Sequence, residues 1–420
     1  MSGRAVITGR GVVSPAGVGV EALWSAVVAG QSQVTAETVL DLDELPISAV
    51  SARLPEAALA SVSERWAGSR RSDAEALLWD VIDQALGEAR VEPRPGVKTA
   101  FLTTQLWESG LEASLGQPGY GDEVRRAVAA GDELRAAYLK HPPVARAGVG
   151  SRLVADLSRR LGTELSVLSL QATCATGLRL VCEAARLIQL GRVDRVIVGA
   201  LSRPVDALHF ASMARALSLS RWQGVACAAS RPFDQQRSGF VLGEAAAALV
   251  LESEALSGPS QPSGIARILG WGLSTSSAHF IRPNLTPMVR VMKQALGTSG
   301  IEPSRVDLLD TMGSSSQLGD AEEARAIHRV FGEDLGRLRI SAEKSMLGYS
   351  MQAAALVELI ASTRAMQTGT VPPVPHCERQ DTDLELPVSA TAERRRVELV
   401  LKHAFGLGGQ YGALVMQGLS

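Results

Sequence analysis

Cysteine is scarce in this chain. Four occur in 420 residues, Cys174, Cys182, Cys227 and Cys377, and none forms a C-x-x-C pair. That spacing argues against a disulfide framework or a structural zinc site and for a reducing compartment. Long apolar runs are missing as well. No stretch reaches bilayer-spanning length. The opening residues Met1 to Gly9 carry too short an apolar segment for a signal peptide, so a cytoplasmic location is expected. Charge of one sign is absent: 42 Lys and Arg against 44 Asp and Glu leave a formal net charge of −2. Neither nucleic acid nor an acidic membrane surface is an expected partner. A complete phosphate-binding loop is lacking too. Gly9-Arg10-Gly11 has no third glycine, and Gly406-Leu407-Gly408-Gly409 leads into no helix, so both read as structural turns and no cofactor is expected.

What the chain does have is a 46% hydrophobic composition and a regular alternation of strand-like and helix-like segments. Arg4 to Thr8 reads as a strand ended by Gly9 and Gly11. Val20–Ala29 and Ser72–Ala89 read as helices, with an irregular excursion over 31–70. Thr99–Thr103 and Arg195–Ala200 read as strands, and 104–150 as a Gly-rich cap or dimer-contact region. Ser253–Ser263, rich in Ser, Pro and Gly, is the best linker. It separates a half over 1–252 from a half over 264–420. After it the pattern restarts, with strands over 265–269, 306–309, 397–402 and 413–417 and helices over 320–331 and 352–366. Such alternation in both halves predicts an α/β fold of layered sheets with an internal duplication.

The stretch Ser169-Leu170-Gln171-Ala172-Thr173-Cys174-Ala175-Thr176-Gly177 stands out. An apolar run over Leu165–Leu170 precedes it, and apolar residues at helical spacing follow it to Ile188. Cys174 is therefore expected where a buried strand turns into a helix. There the helix dipole and free N–H groups favour the thiolate, which makes the cysteine a nucleophile. The ordinary alternative is a small buried core residue.

These residues, with Arg4–Gly17, Ser230–Glu252, Leu318–Ile327, Lys344–Gly348 and Phe405–Gly409, resemble the β-ketoacyl-acyl-carrier-protein synthases. Those are the condensing enzymes of fatty acid and type II polyketide synthesis, and the resemblance runs nearly end to end. It implies a thiolase-like five-layered fold of two βαβαβαββ halves. It also implies acyl transfer onto Cys174 from an acyl carrier protein or coenzyme A thioester, and a homodimer or a heterodimer with a ketosynthase. By family position, the backbone N–H groups of Cys174 and Phe405 form the oxyanion hole, and Lys344 and Glu358 form the supporting pair.

Several positions depart from the family. Met312 and Tyr349 stand where its two catalytic histidines belong, and Leu407 stands where a gating phenylalanine belongs. A thioether donates no hydrogen bond, and a phenol with a pKa near 10 is a poor base at neutral pH. Loading of Cys174 is therefore expected to survive and decarboxylative condensation to be lost. A replacement base would come from His403 or His279. Three readings follow: an acyltransferase or acyl-chain cyclase, a non-catalytic partner similar to a chain length factor, or a β-ketoacyl synthase that keeps the family reaction. The stretch Gln105–Ser109 has no family match and is expected to reshape the acyl pocket.

Overall fold

The computed structural model describes residues 3–40, 47–69, 71–104, 149–256, 264–381 and 385–419. Strands β1 (Ala5–Ser14), β2 (Thr99–Thr103), β3 (Leu165–Ser169), β4 (Arg195–Ser202) and β5 (Ala245–Ser253) lie side by side in the order β3-β2-β4-β5-β1. Strand β2 runs parallel to β3 and β4, and β5 runs antiparallel to β4 and β1. The second half repeats this arrangement. Strands β6 (Ala266–Thr275), β7 (Leu308–Asp310), β8 (Arg339–Ser341), β9 (Leu399–Gly406) and β10 (Gln410–Gly418) take the order β8-β7-β9-β10-β6. Backbone pairing joins the halves at β1 and β6, through Val6↔Arg267 and Ile7↔Ala266.

Helices complete five layers. Helix α1 (Asp73–Glu88) covers β1, β4 and β5 from outside. Its start is fixed by a reciprocal capping box, in which the Ser72 hydroxyl accepts from Glu75 N and the Glu75 carboxylate accepts from Ser72 N. Helices α2 (Thr176–Gln189) and α5 (Ala354–Thr368) pack on each other and on strands of both halves, so they form the middle layer. Helix α3 (Leu285–Ser299) covers β6 and β10 on the far side, and α4 (Gln317–Phe331) packs against α3. A middle-layer helix has no solvent face. Accordingly every residue of α5 from Ala354 to Thr363 is buried, including Glu358. The expected duplicated α/β architecture is thus present. Among the described residues, no helix is long and apolar enough to cross a membrane.

Several local expectations differ. Strand β1 runs straight through Gly9 and Gly11 to Ser14. The glycines are there because α1 lies against them: a Cβ at Gly9 would sit 2.0 Å from the Ala85 carbonyl oxygen, and one at Gly11 1.9 Å from that of Val81. The 31–70 excursion contains a short strand pair, Thr35–Ala36 with Val50–Ser51, and a helix over Glu56–Arg65. That helix buries only Ala58 and Val62, too narrow a stripe to give a clear period. A helix over Ala207–Arg215, capped by Asp206, was not legible from the pattern. Strand β3 is not buried as expected. It ends its sheet, with Val167 and Leu168 exposed. The proposed cap over 104–150, with Gln105–Ser109, lies almost wholly outside the described residues, as does the linker from 257 to 263.

Candidate active site

Cys174 lies in a 3-10 turn, Thr173–Ala175, that runs from the end of β3 into α2. The turn is tight enough to hold Thr173 at a left-handed φ of 48°, a conformation that a β-branched residue adopts only when its surroundings enforce it. Two contacts enforce it. The Thr176 hydroxyl donates to the Thr173 carbonyl at 2.6 Å and accepts from Ala172 N at 2.8 Å. The Thr173 hydroxyl lies 2.9 Å from the carbonyl of Leu407, in the turn between β9 and β10. Gly406 closes this contact, since a Cβ there would sit 2.1 Å from Thr173 Oγ1 and 2.9 Å from Cys174 N. The elbow therefore belongs to the first half and the loop clasping it to the second.

The thiol is not the resting thiolate expected from the helix terminus. Burial pushes the Cys174 pKa up. The Tyr349 hydroxyl, the Leu407 amide, the Lys344 ammonium and the Cys174 amide work against burial without overcoming it. Burial disfavours the charged form of a thiol. The amide facing the sulfur beside Cys174's own is that of Leu407. The Phe405 ring packs on Tyr411, with centroids 6.2 Å apart, and on His403 at 5.7 Å.

Tyr349 reaches the sulfur from the segment after β8. Backbone pairing holds it there: its N donates to the Val241 carbonyl at 2.8 Å, and its carbonyl accepts from Gly243 N at 3.0 Å. The Phe240 ring meets the phenol edge-on at 5.2 Å. The buried hydroxyl makes no hydrogen bond of ordinary geometry. Its influence on the thiol is therefore one of close approach in a buried site, rather than of an aligned O–H···S bond. Burial raises the phenol's pKa well above its usual value, and the neighbouring Cys174 raises it further.

Behind them runs a buried chain of charge. Lys344 Nζ donates to the Met312 carbonyl at 2.7 Å, pairs with Glu358, and sits 5.1 Å from the centre of the Tyr349 ring. The other Glu358 oxygen is 2.7 Å from Lys402 Nζ, which is also 2.7 Å from Asp310. Met312 is fixed from both sides, because its N donates to Glu323 Oε1 at 2.7 Å. His403 Nδ1 lies 3.1 Å from that same Glu323 oxygen, and its Nε2 is buried without a partner.

A cavity of about 530 Å³ opens onto this group. Cys174, Met312, Tyr349, Phe405, Leu407 and His279 line it, whereas Lys344, Glu358 and His403 do not. Its mouth carries exposed apolar side chains, among them Leu217, Phe280 and Leu318, together with Arg221 and Arg282. His279 Nδ1 accepts from the backbone N of both Ile281 and Arg282, at 3.0 and 2.9 Å. Those bonds assign the neutral ring's proton to Nε2, leaving a donor and no free base. Sequence reasoning missed the Leu407 amide, Met213 and Phe240 among the lining residues. Only the folded backbone brings them to Cys174.

Comparison with known proteins agrees with this architecture. Residues 3–256 match the family model for the β-ketoacyl synthase N-terminal domain, and 265–378 that for the C-terminal domain. The chain is 30% identical over 422 residues to a 3-oxoacyl-[acyl-carrier-protein] synthase 2 of Coxiella burnetii, covering 98% of each protein. It is 28% identical over 432 residues to a mitochondrial 3-oxoacyl-[acyl-carrier-protein] synthase of Arabidopsis thaliana, covering 98% of this chain and 92% of that one. Among solved structures, the ishigamide ketosynthase/chain length factor superposes with a TM-score of 0.81 at 26% identity over the full length of both chains. A type II polyketide ketosynthase, solved in complex with its acyl-carrier protein, has the same fold, with a TM-score of 0.84 at 24% identity and full coverage of both chains.

Proposed function

The chain belongs to the β-ketoacyl synthase family, and from that premise we propose that it takes an acyl group from a thioester onto Cys174. It then passes the group to an acceptor, or closes it into a ring, without decarboxylating a malonyl unit. The donor is an acyl carrier protein or coenzyme A thioester of type II polyketide or fatty acid synthesis. The observation that carries this reading is the pairing of an intact elbow with altered helpers. The Cys174 and Leu407 amides converge on the sulfur, while the cavity wall offers the Met312 thioether and the Tyr349 phenol.

Loading needs only the first part. As the sulfur attacks the acyl carbon, the carbonyl oxygen gains negative charge, and the two amides stabilise it. The Cys174 proton leaves for the departing thiol sulfur. Malonyl decarboxylation is different, because its enolate needs two donors of the kind that Met312 does not supply. Losing one donor to an oxyanion costs roughly a hundredfold to a thousandfold. The mouth suits a carrier-borne arm, with apolar side chains for its length and Arg221 and Arg282 for its phosphate. The exposed edge of β3 suits a second copy or a ketosynthase partner.

Intact-mass analysis after incubation with acyl carrier proteins or acyl thioesters tests this. One acyl adduct that Cys174→Ala abolishes is expected, without carbon dioxide release from malonyl carrier protein. Chain extension with carbon dioxide release would restore the ordinary family reaction. A second reading, a subunit that shapes a ketosynthase's tunnel, draws support from the protonated resting thiol and from His279, the only histidine on the described cavity wall, having no free base. No adduct with any thioester, together with a co-purifying ketosynthase that depends on this chain, would favour it.

A further inference from the structure

Glu343 is fully buried, 1% exposed, and neither of its carboxyl oxygens has a hydrogen-bond partner. The charged groups facing it come from three elements: Asp310 on β7, Glu358 on α5 and Lys402 on β9. Lys344 follows it in the chain. Two ammonium groups, Lys344 and Lys402, are already matched by two bonded carboxylates, Asp310 and Glu358. An ionised Glu343 would add a third negative charge with nothing to pair it, in a place where an unpaired buried charge is very costly. We infer that Glu343 is a positioning residue that acts as its neutral acid, holding the buried lysine–carboxylate chain at zero net charge so that Lys344 stays on the Met312 carbonyl.

The titration agrees with this count. Burial, then Asp310 and Glu358, push the Glu343 carboxyl up to about 8, with Lys402 pulling the other way. Above that pH the new carboxylate competes with Asp310 and Glu358 for the Lys402 ammonium, and Glu358 is the carboxylate that Lys402 shares with Lys344. Because Lys344 helps to lower the Cys174 pKa, the effect reaches the thiol. The inference rests on the acyl-thiol reading only in taking Cys174 as the place where its consequence matters.

Two measurements test it without any acyl donor. At neutral pH the infrared spectrum should show a protonated carboxylic acid band that Glu343→Gln removes and that titrates near pH 8 in the wild type. No such band in the wild-type protein would overturn the inference even if the variant failed to fold. Second, Cys174 alkylation by iodoacetamide should climb less steeply above pH 8 in the wild type than in Glu343→Gln. One interior charge near a thiol is worth on the order of tenfold in reactivity. Superimposable alkylation profiles would also overturn it. If acyl loading fails while the band and the profile difference are present, the functional reading falls and this one stands.

Discussion

The Tyr349 hydroxyl and the Cys174 thiol constrain each other's protonation: the phenol opposes the burial that raises the thiol, and the sulfur adds to the burial that raises the phenol. At neutral pH both are held in their protonated forms. Under the proposed loading, the thiolate arises only as the thioester arrives, with the proton leaving in the same event.

Tyr349→Phe removes that hydroxyl and keeps the ring against Phe240. The Cys174 pKa should then move further up, so the alkylation curve shifts to higher pH. Loss of a hydroxyl dipole lying close to a sulfur anion should slow alkylation at fixed pH by up to about tenfold. Iodoacetamide kinetics across pH measure this. An unshifted curve would show that the phenol has no hold on the thiol.

Restoring the missing donors should restore the missing step. Met312→His combined with Tyr349→His supplies two N–H groups on the cavity wall opposite Cys174. Carbon dioxide release from malonyl carrier protein is expected in the double variant and not in the wild type, with a gain of at least about a hundredfold. Radiolabelled malonyl release, run beside a thermal melt to confirm folding, checks it.

Lys402→Met leaves Asp310 and Glu358 without their shared cation in a fully buried site. Breaking a buried pair from one side costs about 3–5 kcal/mol. Urea denaturation should report a loss of that size. A cost below about 1 kcal/mol would mean that the cluster relaxes by giving up charge.

The exposed strand edge should be an assembly surface. Val167→Glu places a charge on β3, where Val167 is 48% exposed and Leu168 39% exposed. A sheet edge with apolar side chains invites pairing, and an edge charge opposes it. Sedimentation should show an assembled wild type and a variant shifted toward monomer. Equal masses for the two would place the interface elsewhere.

Much of the architecture was readable because alternating hydrophobic periods specify layers, and the restart after Ser253 announces the repeat. Gly9 and Gly11 misled the reading of β1. A glycine that ends a strand and one that admits a neighbouring helix look alike until the helix is placed. Cys174, Met312 and Tyr349 could be singled out together, because each sits in a local stretch of recognisable residues, and the structure places all three on one cavity. The Leu407 amide was not, because a backbone donor leaves no trace in residue identity. His403 looked available as a base, but it does not line the cavity, and the Glu323 carboxylate that holds its Nδ1 lies 80 residues away along the chain. The protonation of Cys174 was misjudged because a helix terminus can be read from the string and the burial of the thiol cannot.

The repeated strand order carries one more consequence. Cys174 lies in the connection from β3 to α2, and Tyr349 in the connection from β8 to α5, which are the same connection in the two halves. The repeat therefore brings two copies of one loop face to face: one carries the Cys174 thiol, and the other the phenol that lies beside it. The proposed change of reaction is then an edit to the second copy, with the first left as it was.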